Sequence, residues 1–187
     1  MLLIVGISGA SGAIYGVRLL EVLSTNEEVE THLIISEAGE KNILYETDWK
    51  IEQVRSMADF CYDINDTGAT LASGSFKRDG MVIAPCSMKT LAALANSYAD
   101  NLLTRSADVT LKERKKLVLL ARETPLHLGH LGNMEKLTGM GAIVFPPVPA
   151  FYHKPRTIQD IIDHTVGKVL DIFDIKHNLF SRWSGLH

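Results

Sequence analysis

Short apolar runs alternate with amphipathic stretches along the whole chain. Leu2-Leu3-Ile4-Val5, Val29–Ile35, Gly80–Ala84, Lys116–Ala121 and Ala142–Phe145 are near-continuous apolar runs of strand length, the pattern of strands buried on both faces. Between them apolar residues recur at helical spacing, as in Ala13–Leu23 (Ile14, Val17, Leu20, Val22-Leu23) and Ser87–Ala99 (Leu91, Leu94, Ala95, Tyr98). Helices are also predicted over Glu37–Tyr45, Ile51–Ala58, Asn101–Arg114, Leu126–Leu137 and Thr157–Ile172, the last with Thr157 as N-cap and Asp160 as its capping-box acid. Phe60-Cys61-Tyr62 reads as a further short strand, and Ile64–Lys77 as the longest loop. Pro85 and Pro146-Pro147 are expected to stop the strands before them. The alternation predicts an α/β fold: a doubly wound (Rossmann-like, flavodoxin-like) parallel sheet with helices on both faces, in strand order 3-2-1-4-5-6. One domain is expected over 1–187, with a tail from about residue 176 whose Phe180 and Trp183 need something to cover.

The first strand runs into Val5–Gly16, where Gly6, Gly9 and Gly12 interleave with Ser8 and Ser11 ahead of a helix. Such a turn reads equally as a phosphate cradle at a helix N-terminus or as a tight turn in which Ser8 or Ser11 is only a cap. The glycines are spaced by three, unlike the dinucleotide fingerprint. The second strand ends in Ser36, with Glu37 opening the next helix, and no Gly-Lys-Ser/Thr follows the turn. A mononucleotide with one phosphate, such as FMN, suits this turn better than NAD or ATP. The polar residues at Gly9–Ser11, Ser36, Cys86-Ser87, Arg122-Glu123-Thr124 and near Tyr152 all follow strands. Those are the carboxyl ends, where open α/β sheets bind ligands, and their convergence favours the phosphate site.

Composition narrows the class. The 187 residues are 46% hydrophobic and 22% charged, as in a globular domain with a substantial core. A net charge of −3 gives no pull toward nucleic acid or anionic membranes, and no apolar run approaches the roughly 20 residues that span a bilayer. Met1–Val5 has no basic segment and reads as a strand rather than a secretion signal, and Cys61 and Cys86 make no disulfide framework, so the expected location is the cytoplasm.

Individual side chains are less decisive. Ser87-Met88-Lys89-Thr90 opens a helix at a strand end and can hold an anion or carbonyl group, or simply cap the helix beside an exposed lysine. Arg122 follows five apolar residues, and a buried strand-end arginine needs an anion, which Glu123 could itself supply. Arg105 and Lys112, each taken alone, read as surface charges. Tyr152, after the proline pair, offers a phenol to a phosphate or covers the core. His127 and His130 lack a Cys or acid at matching spacing for a metal; His32 reads as strand filler and Cys86 as packing.

Seven blocks in order carry a resemblance across essentially the whole chain: Gly6–Ala13, Glu46-Thr47-Asp48, Ala72–Ser75, Pro85–Thr90, Arg105–Arg114, Arg122–Pro125 and Pro146–His153. Through them the chain closely resembles the flavin prenyltransferases of the UbiX family. That resemblance implies a metal-independent transferase joining dimethylallyl phosphate to reduced FMN at N5 and C6. The product is prenylated FMN, the cofactor of UbiD-type decarboxylases, one of which serves ubiquinone biosynthesis. Carried over by position, it puts FMN on Gly9, Ala10, Ser11, Ser36, Ser87, Met88, Lys89, Thr90 and Arg122. The allylic phosphate falls to Arg105, Lys112, Glu123, Tyr152 and Lys168, and Glu46 lies near the reacting flavin edge. It also implies a dodecamer whose sites lie between subunits.

The implied chemistry agrees with these residue types. Breaking the allylic C–O bond leaves phosphate, whose charge preorganised Lys and Arg stabilise, and Glu123 with a raised pKa could protonate it. Two other readings stand beside this one. A flavin-dependent cysteine decarboxylase would share the fold but carry a P-x-M-N-x-x-M-W type motif, where this chain has Glu123–Leu128. A non-catalytic FMN carrier would not need Arg105, Lys112, Arg122, Tyr152 and Lys168.

Overall fold

The computed structural model describes residues 1–183 and 185, in two units, Met1–Pro146 and Pro147–His187. The first is built on six parallel strands: β1 Leu2–Ile7, β2 Glu30–Ile35, β3 Phe60–Tyr62, β4 Gly80–Cys86, β5 Lys116–Ala121 and β6 Ile143–Val144. Their order is β3-β2-β1-β4-β5-β6, as the run of elements implied. β1 is the hub, pairing Leu3 with Thr31 of β2 on one side and with Gly80 of β4 on the other. The helices are α1 Ala13–Leu23, α2 Glu37–Glu46, α3 Ile51–Arg55, α4 Met88–Ala95, α5 Leu102–Lys112 and α6 Leu128–Gly139.

Each strand feeds two cores because its side chains alternate in direction. Ile4, Met81, Ile83, Leu117 and Leu119 pack with Leu91 and Leu94 of α4, Leu102 and Leu103 of α5 and Leu137 of α6. Leu3, Val5, Val82, Val118 and Leu120 alternate with them and are also buried. α1 lies against β4.

The elements differ from expectation at several places, among them α3, which ends at Arg55 rather than Ala58, and α6, which runs from Leu128 to Gly139 rather than from Leu126 to Leu137. Pro85 does not stop β4, which continues to Cys86. The β4–β5 register shifts between Ile83 and Cys86 instead, which lets the ladder pass a residue with no N–H. α4 ends at Ala95 rather than Ala99. Ser97 enters the left-handed region (φ 53) and the Tyr98 N–H bonds back to Ala93 O at 2.9 Å, a Schellman stop that leaves Tyr98 exposed. The loop 64–77 contains one 3-10 turn, Thr70–Ala72, anchored by the fully buried Leu71.

The second unit is organised on α7, Ile158–Ile172, with the predicted capping box: Asp160 N–H donates to Thr157 Oγ1 (3.1 Å) and Thr157 N–H to Asp160 Oδ2 (3.0 Å). The tail finds its cover here. Phe180 sits on Gly167, where an added Cβ would stand 2.6 Å from its ring. Arg182 donates to both oxygens of Asp171 (3.0 and 2.6 Å), and Trp183 meets the Tyr152 ring edge-on at 6.0 Å.

Candidate active site

The turn after β1 is closed by protein rather than held open for a phosphate. Gly12 is the N-cap of α1 at φ 99, a conformation that favours glycine, and neither Ser8 nor Ser11 caps the helix. The carboxylate of Glu46, the last residue of α2, accepts from Gly12 N–H (2.7 Å) and Ala13 N–H (3.1 Å). The anion at this helix N-terminus is therefore internal. Ser8, 1% exposed, has another task. Its hydroxyl donates to Pro85 O and accepts from Ser87 N–H, both at 2.8 Å, joining the ends of β1 and β4.

That join lies at the topological switch point, where the chain, having gone from β1 to β2 and β3, crosses to β4. A cleft of about 470 Å³ opens beside it, lined by Gly9, Ser36–Ala38, Ile64, Asn65, Ser87, Lys89, Thr90, Asp100, Asn101 and Leu103. Three helices begin there, each capped by a neutral side chain. Ser36 Oγ accepts from Gly39 N–H (3.0 Å), Ser87 Oγ from Thr90 N–H (3.3 Å) and Asn101 Oδ1 from Thr104 N–H (3.0 Å). A cap satisfies only part of a first turn, and each helix end carries roughly half a positive charge. Lys89 adds an ammonium, 3.5 Å from Asp100. The cleft thus offers helix-terminus N–H donors and one ammonium, beside the carboxylates of Glu37 and Asp100. Its size falls within the roughly 300–1,000 Å³ of small-molecule sites, and its donors suit one phosphate. Gly9 is required by packing, since a Cβ there would stand 2.4 Å from that of Ala38.

Of the residues expected to hold the cofactor, Gly9, Ser36, Ser87, Lys89 and Thr90 line this cleft. Ala10 is buried in the turn, Ser11 is exposed and Met88 half-buried; none of the three is among the lining residues. Arg122 is exposed, which corrects the premise of a buried strand-end arginine. β5 is the second strand from the edge and burial stops at Ala121. Glu123 does not pair with it but accepts from Thr124 N–H (2.9 Å). The cleft adds Asn65, Asp100 and Asn101. Asn101 before Leu102-Leu103 is a readable N-cap signal, whereas Asn65 sits in an aperiodic loop that offers none.

The expected phosphate-handling residues fall in other places. Arg105 donates through Nε to Ala72 O (3.1 Å) and pairs with Asp108 (3.0 Å). Lys112 pairs with Glu113, whose carboxyl it holds below the usual range, and both stand against Gly74. Asn101 and Lys112 bracket α5, about 16 Å apart along its axis, so one chain does not bring Lys112 to its own cleft. In the second unit the Tyr152 hydroxyl lies 2.7 Å from His164 Nε2, and Lys168, one turn further along α7, is 3.8 Å from Asp171. Bonding to Arg182 holds the Asp171 carboxyl below its usual range.

Cys86 is core, its thiol pushed up to about 12 by burial. His32 is more than filler, bonded to Tyr62 (2.9 Å) and Glu30 (2.8 Å) and stacked on Phe60. The His127 and His130 rings lie 3.6 Å apart, tilted by 30°, and among the described residues no three His, Cys, Asp or Glu side chains gather as a metal site. No helix among them is long and apolar enough to cross a membrane.

A parallel sheet with neutral-capped helix N-termini at its switch point defines a mononucleotide-binding α/β protein, and the model of the Flavoprotein family matches residues 1–183. The flavin prenyltransferase UbiX of Thauera aromatica is 57% identical over 99% of this chain and 95% of its own, and that of Escherichia coli K12 55% identical over 98% of each. The chain belongs to the UbiX flavin prenyltransferases. AnUbiX, crystallised with FMN and dimethylallyl pyrophosphate, superposes with a TM-score of 0.97 at 50% identity, covering 100% of this chain and 98% of that one. A dodecameric FMN-dependent UbiX-like decarboxylase from E. coli O157:H7 also gives 0.97, at 49% identity over 99% and 100%. The epidermin biosynthesis protein EpiD from Staphylococcus aureus, at 19% identity and a TM-score of 0.61, shares the fold alone.

Proposed function

We propose that this chain transfers the dimethylallyl group of dimethylallyl phosphate to reduced FMN, forming bonds at N5 and C6, and hands prenylated FMN to a UbiD-type decarboxylase. The observation that carries the reading is the cleft at the β1/β4 switch point, with three helix N-termini and Lys89 around it, in a chain of this family. Gly9, Ser36, Ser87, Lys89 and Thr90 would hold the FMN phosphate, with Ala10, Ser11, Met88 and Arg122 completing that site. Reduced FMN supplies the electron-rich centre that attacks the allylic carbon.

The protein's own residues handle charge. The allylic C–O bond breaks with its electron pair on the phosphate. Tyr152 and Lys168 grip that phosphate, and fixed cations offset the growing charge without reorganising. Glu123 is the proposed proton donor to the departing phosphate. Arg105 and Lys112, turned toward the 72–75 loop and away from their own cleft, are proposed to serve a neighbour's site in a dodecamer like that of the E. coli O157:H7 relative. Glu46 closes the turn beside the flavin site.

Anaerobic incubation with reduced FMN and either dimethylallyl phosphate or the pyrophosphate, followed by mass spectrometry of the extracted flavin, tests the reading. A gain of one dimethylallyl unit is expected, faster with the monophosphate. Bound but unmodified FMN with both donors overturns it in favour of a carrier.

A further inference from the structure

The Tyr152 phenol is on an exposed segment, yet its hydroxyl has a fixed partner. The chain doubles back over Phe151–Lys154, where Lys154 N–H bonds to Phe151 O (3.0 Å), and Tyr152 itself is 47% exposed. Its oxygen lies 2.7 Å from Nε2 of His164, a residue of α7 that is only 8% exposed. The imidazole is itself locked. The His153 ring stacks on it at 4.5 Å with the planes 6° apart, Phe180 covers it at 4.7 Å, and the Tyr152 ring meets it edge-on at 5.4 Å. Residues 164 and 168 are four apart, so α7 presents this ring and the Lys168 ammonium on one face, a turn apart.

We propose that His164 is a positioning residue for Tyr152, fixing the phenol one helical turn from Lys168 so that both meet the same phosphate of the allylic substrate. The inference rests on the prenyl-transfer reading and extends it to a residue that the family resemblance did not mark. A tyrosine on a loop otherwise loses side-chain freedom when it binds; here that ordering is done in advance. Burial, the His153 ring and the Lys168 ammonium, in that order, all disfavour a charged imidazole. A neutral ring has one N–H. With that proton on Nε2, the ring donates to the phenol oxygen, and the phenolic O–H is left to donate to a phosphate oxygen. The opposite tautomer would draw the phenolic proton inward and turn lone pairs toward the anion.

The test is a double-mutant cycle in kcat/KM for dimethylallyl phosphate at saturating reduced FMN, with His164→Phe, Tyr152→Phe, the double variant and His164→Gln. His164→Phe is expected to lower kcat/KM about tenfold, mostly through KM. The double variant should be no worse than Tyr152→Phe, because His164 acts only through that hydroxyl. His164→Gln, whose amide can donate from the same place, should stay within about threefold of wild type. Losses that multiply in the double variant, or an unaffected His164→Phe, overturn the proposal. Nitrogen-15 NMR of the His164 ring in the wild-type protein gives a second reading that does not depend on folding of a variant. A proton on Nε2 whose resonance moves in Tyr152→Phe is expected, and a bare Nε2 overturns the proposal. If the wild type transfers no prenyl group, the enzyme reading fails, while the NMR measurement still decides whether His164 holds the phenol.

Discussion

The cleft of the first unit and the α7 cluster of the second, the two proposed anion sites, are built from different parts. The cleft uses backbone: three helix starts capped by Ser36, Ser87 and Asn101, with the single ammonium of Lys89 at the side. Its polarity comes from how the sheet is wound, and no one side chain supplies most of it. The α7 cluster uses side chains: Tyr152 set by His164, and Lys168 beside an Asp171 already bonded to Arg182 and His177. A phosphate that must only be held suits the first device. A phosphate that gains charge as a bond breaks suits the second, because discrete cations and O–H donors can be aimed where charge grows. The two regions should therefore respond differently to single substitutions.

The largest effect is expected from Lys168→Ala. Removing one preorganised charge from a site of charge development costs on the order of 10²–10³ in rate. The variant should lose that much in prenyl transfer, while its FMN dissociation constant stays within about twofold of wild type. Single-turnover kinetics beside a fluorescence titration of FMN separates the two. A parallel loss of FMN binding would erase the distinction between the regions.

Ser87→Ala tests the other side and should do less. Ser87 Oγ takes the Thr90 N–H and its own N–H reaches Ser8, so truncation removes a cap and leaves the neighbouring helix starts in place. A hydrogen bond of about 1 kcal/mol corresponds to a five- to tenfold weaker FMN complex, with turnover at saturating FMN nearly unchanged. Isothermal titration followed by an assay at high FMN would show whether the cleft is as distributed as its geometry says.

The same contrast decides what the sequence made readable. Buried apolar runs and capped helical periods are local signals, so the strand order, the α7 capping box and Ser36, Ser87 and Lys89 at the cleft were all legible. The cleft lining at Ile64 and Asn65 was not, because an aperiodic loop has no period to announce its position. Glu46 was placed near the flavin by resemblance alone. That it closes the N-terminus of α1, 33 and 34 residues earlier in sequence, is a tertiary contact no local pattern encodes. The Arg105 bond to Ala72 O and the placing of Lys112 and Glu113 against Gly74 were hidden for the same reason, and Arg122 was misjudged because burial at a strand end depends on what packs over it. The stacking of His153 on His164 requires the chain to fold back after Tyr152, which the prolines suggest without specifying a partner.

Glu46 offers a smaller test, of stability. Its carboxylate accepts two backbone N–H groups at a helix N-terminus, a charge-assisted cap worth about 1–2 kcal/mol. Glu46→Ala should lower the urea unfolding free energy by about that amount, and Glu46→Gln by roughly half of it. If Glu46→Gln also reduces turnover at full FMN occupancy by more than about tenfold, Glu46 acts in the chemistry as well as in the fold.

The smallest expected effect is a pH dependence of the α7 cluster. The His164 pKa is depressed from 6.5, first by burial, then by His153 and by Lys168. As pH falls through 6.5 the unfolded chain therefore takes up this proton before the native protein does. Stability is linked to the protons bound in each state, so this residue makes the fold less stable as pH drops below 6.5, until the native ring is protonated too. The carboxyls of Asp59, Asp160 and Asp171 are all lowered from 3.8. Their stabilisation is present above 3.8 and lost only below it, so the two windows do not overlap. Between about pH 7.5 and pH 5, the melting temperature of the wild type should fall more steeply than that of His164→Gln, which cannot titrate but can still hold Tyr152. Ser87→Ala should follow the wild-type slope, because the substitution leaves His164 and the rings around it in place. Equal slopes for His164→Gln and wild type would mean that the imidazole is not held neutral; a charged ring donates from both nitrogens, so the direction of the phenolic hydroxyl would then not depend on the tautomer.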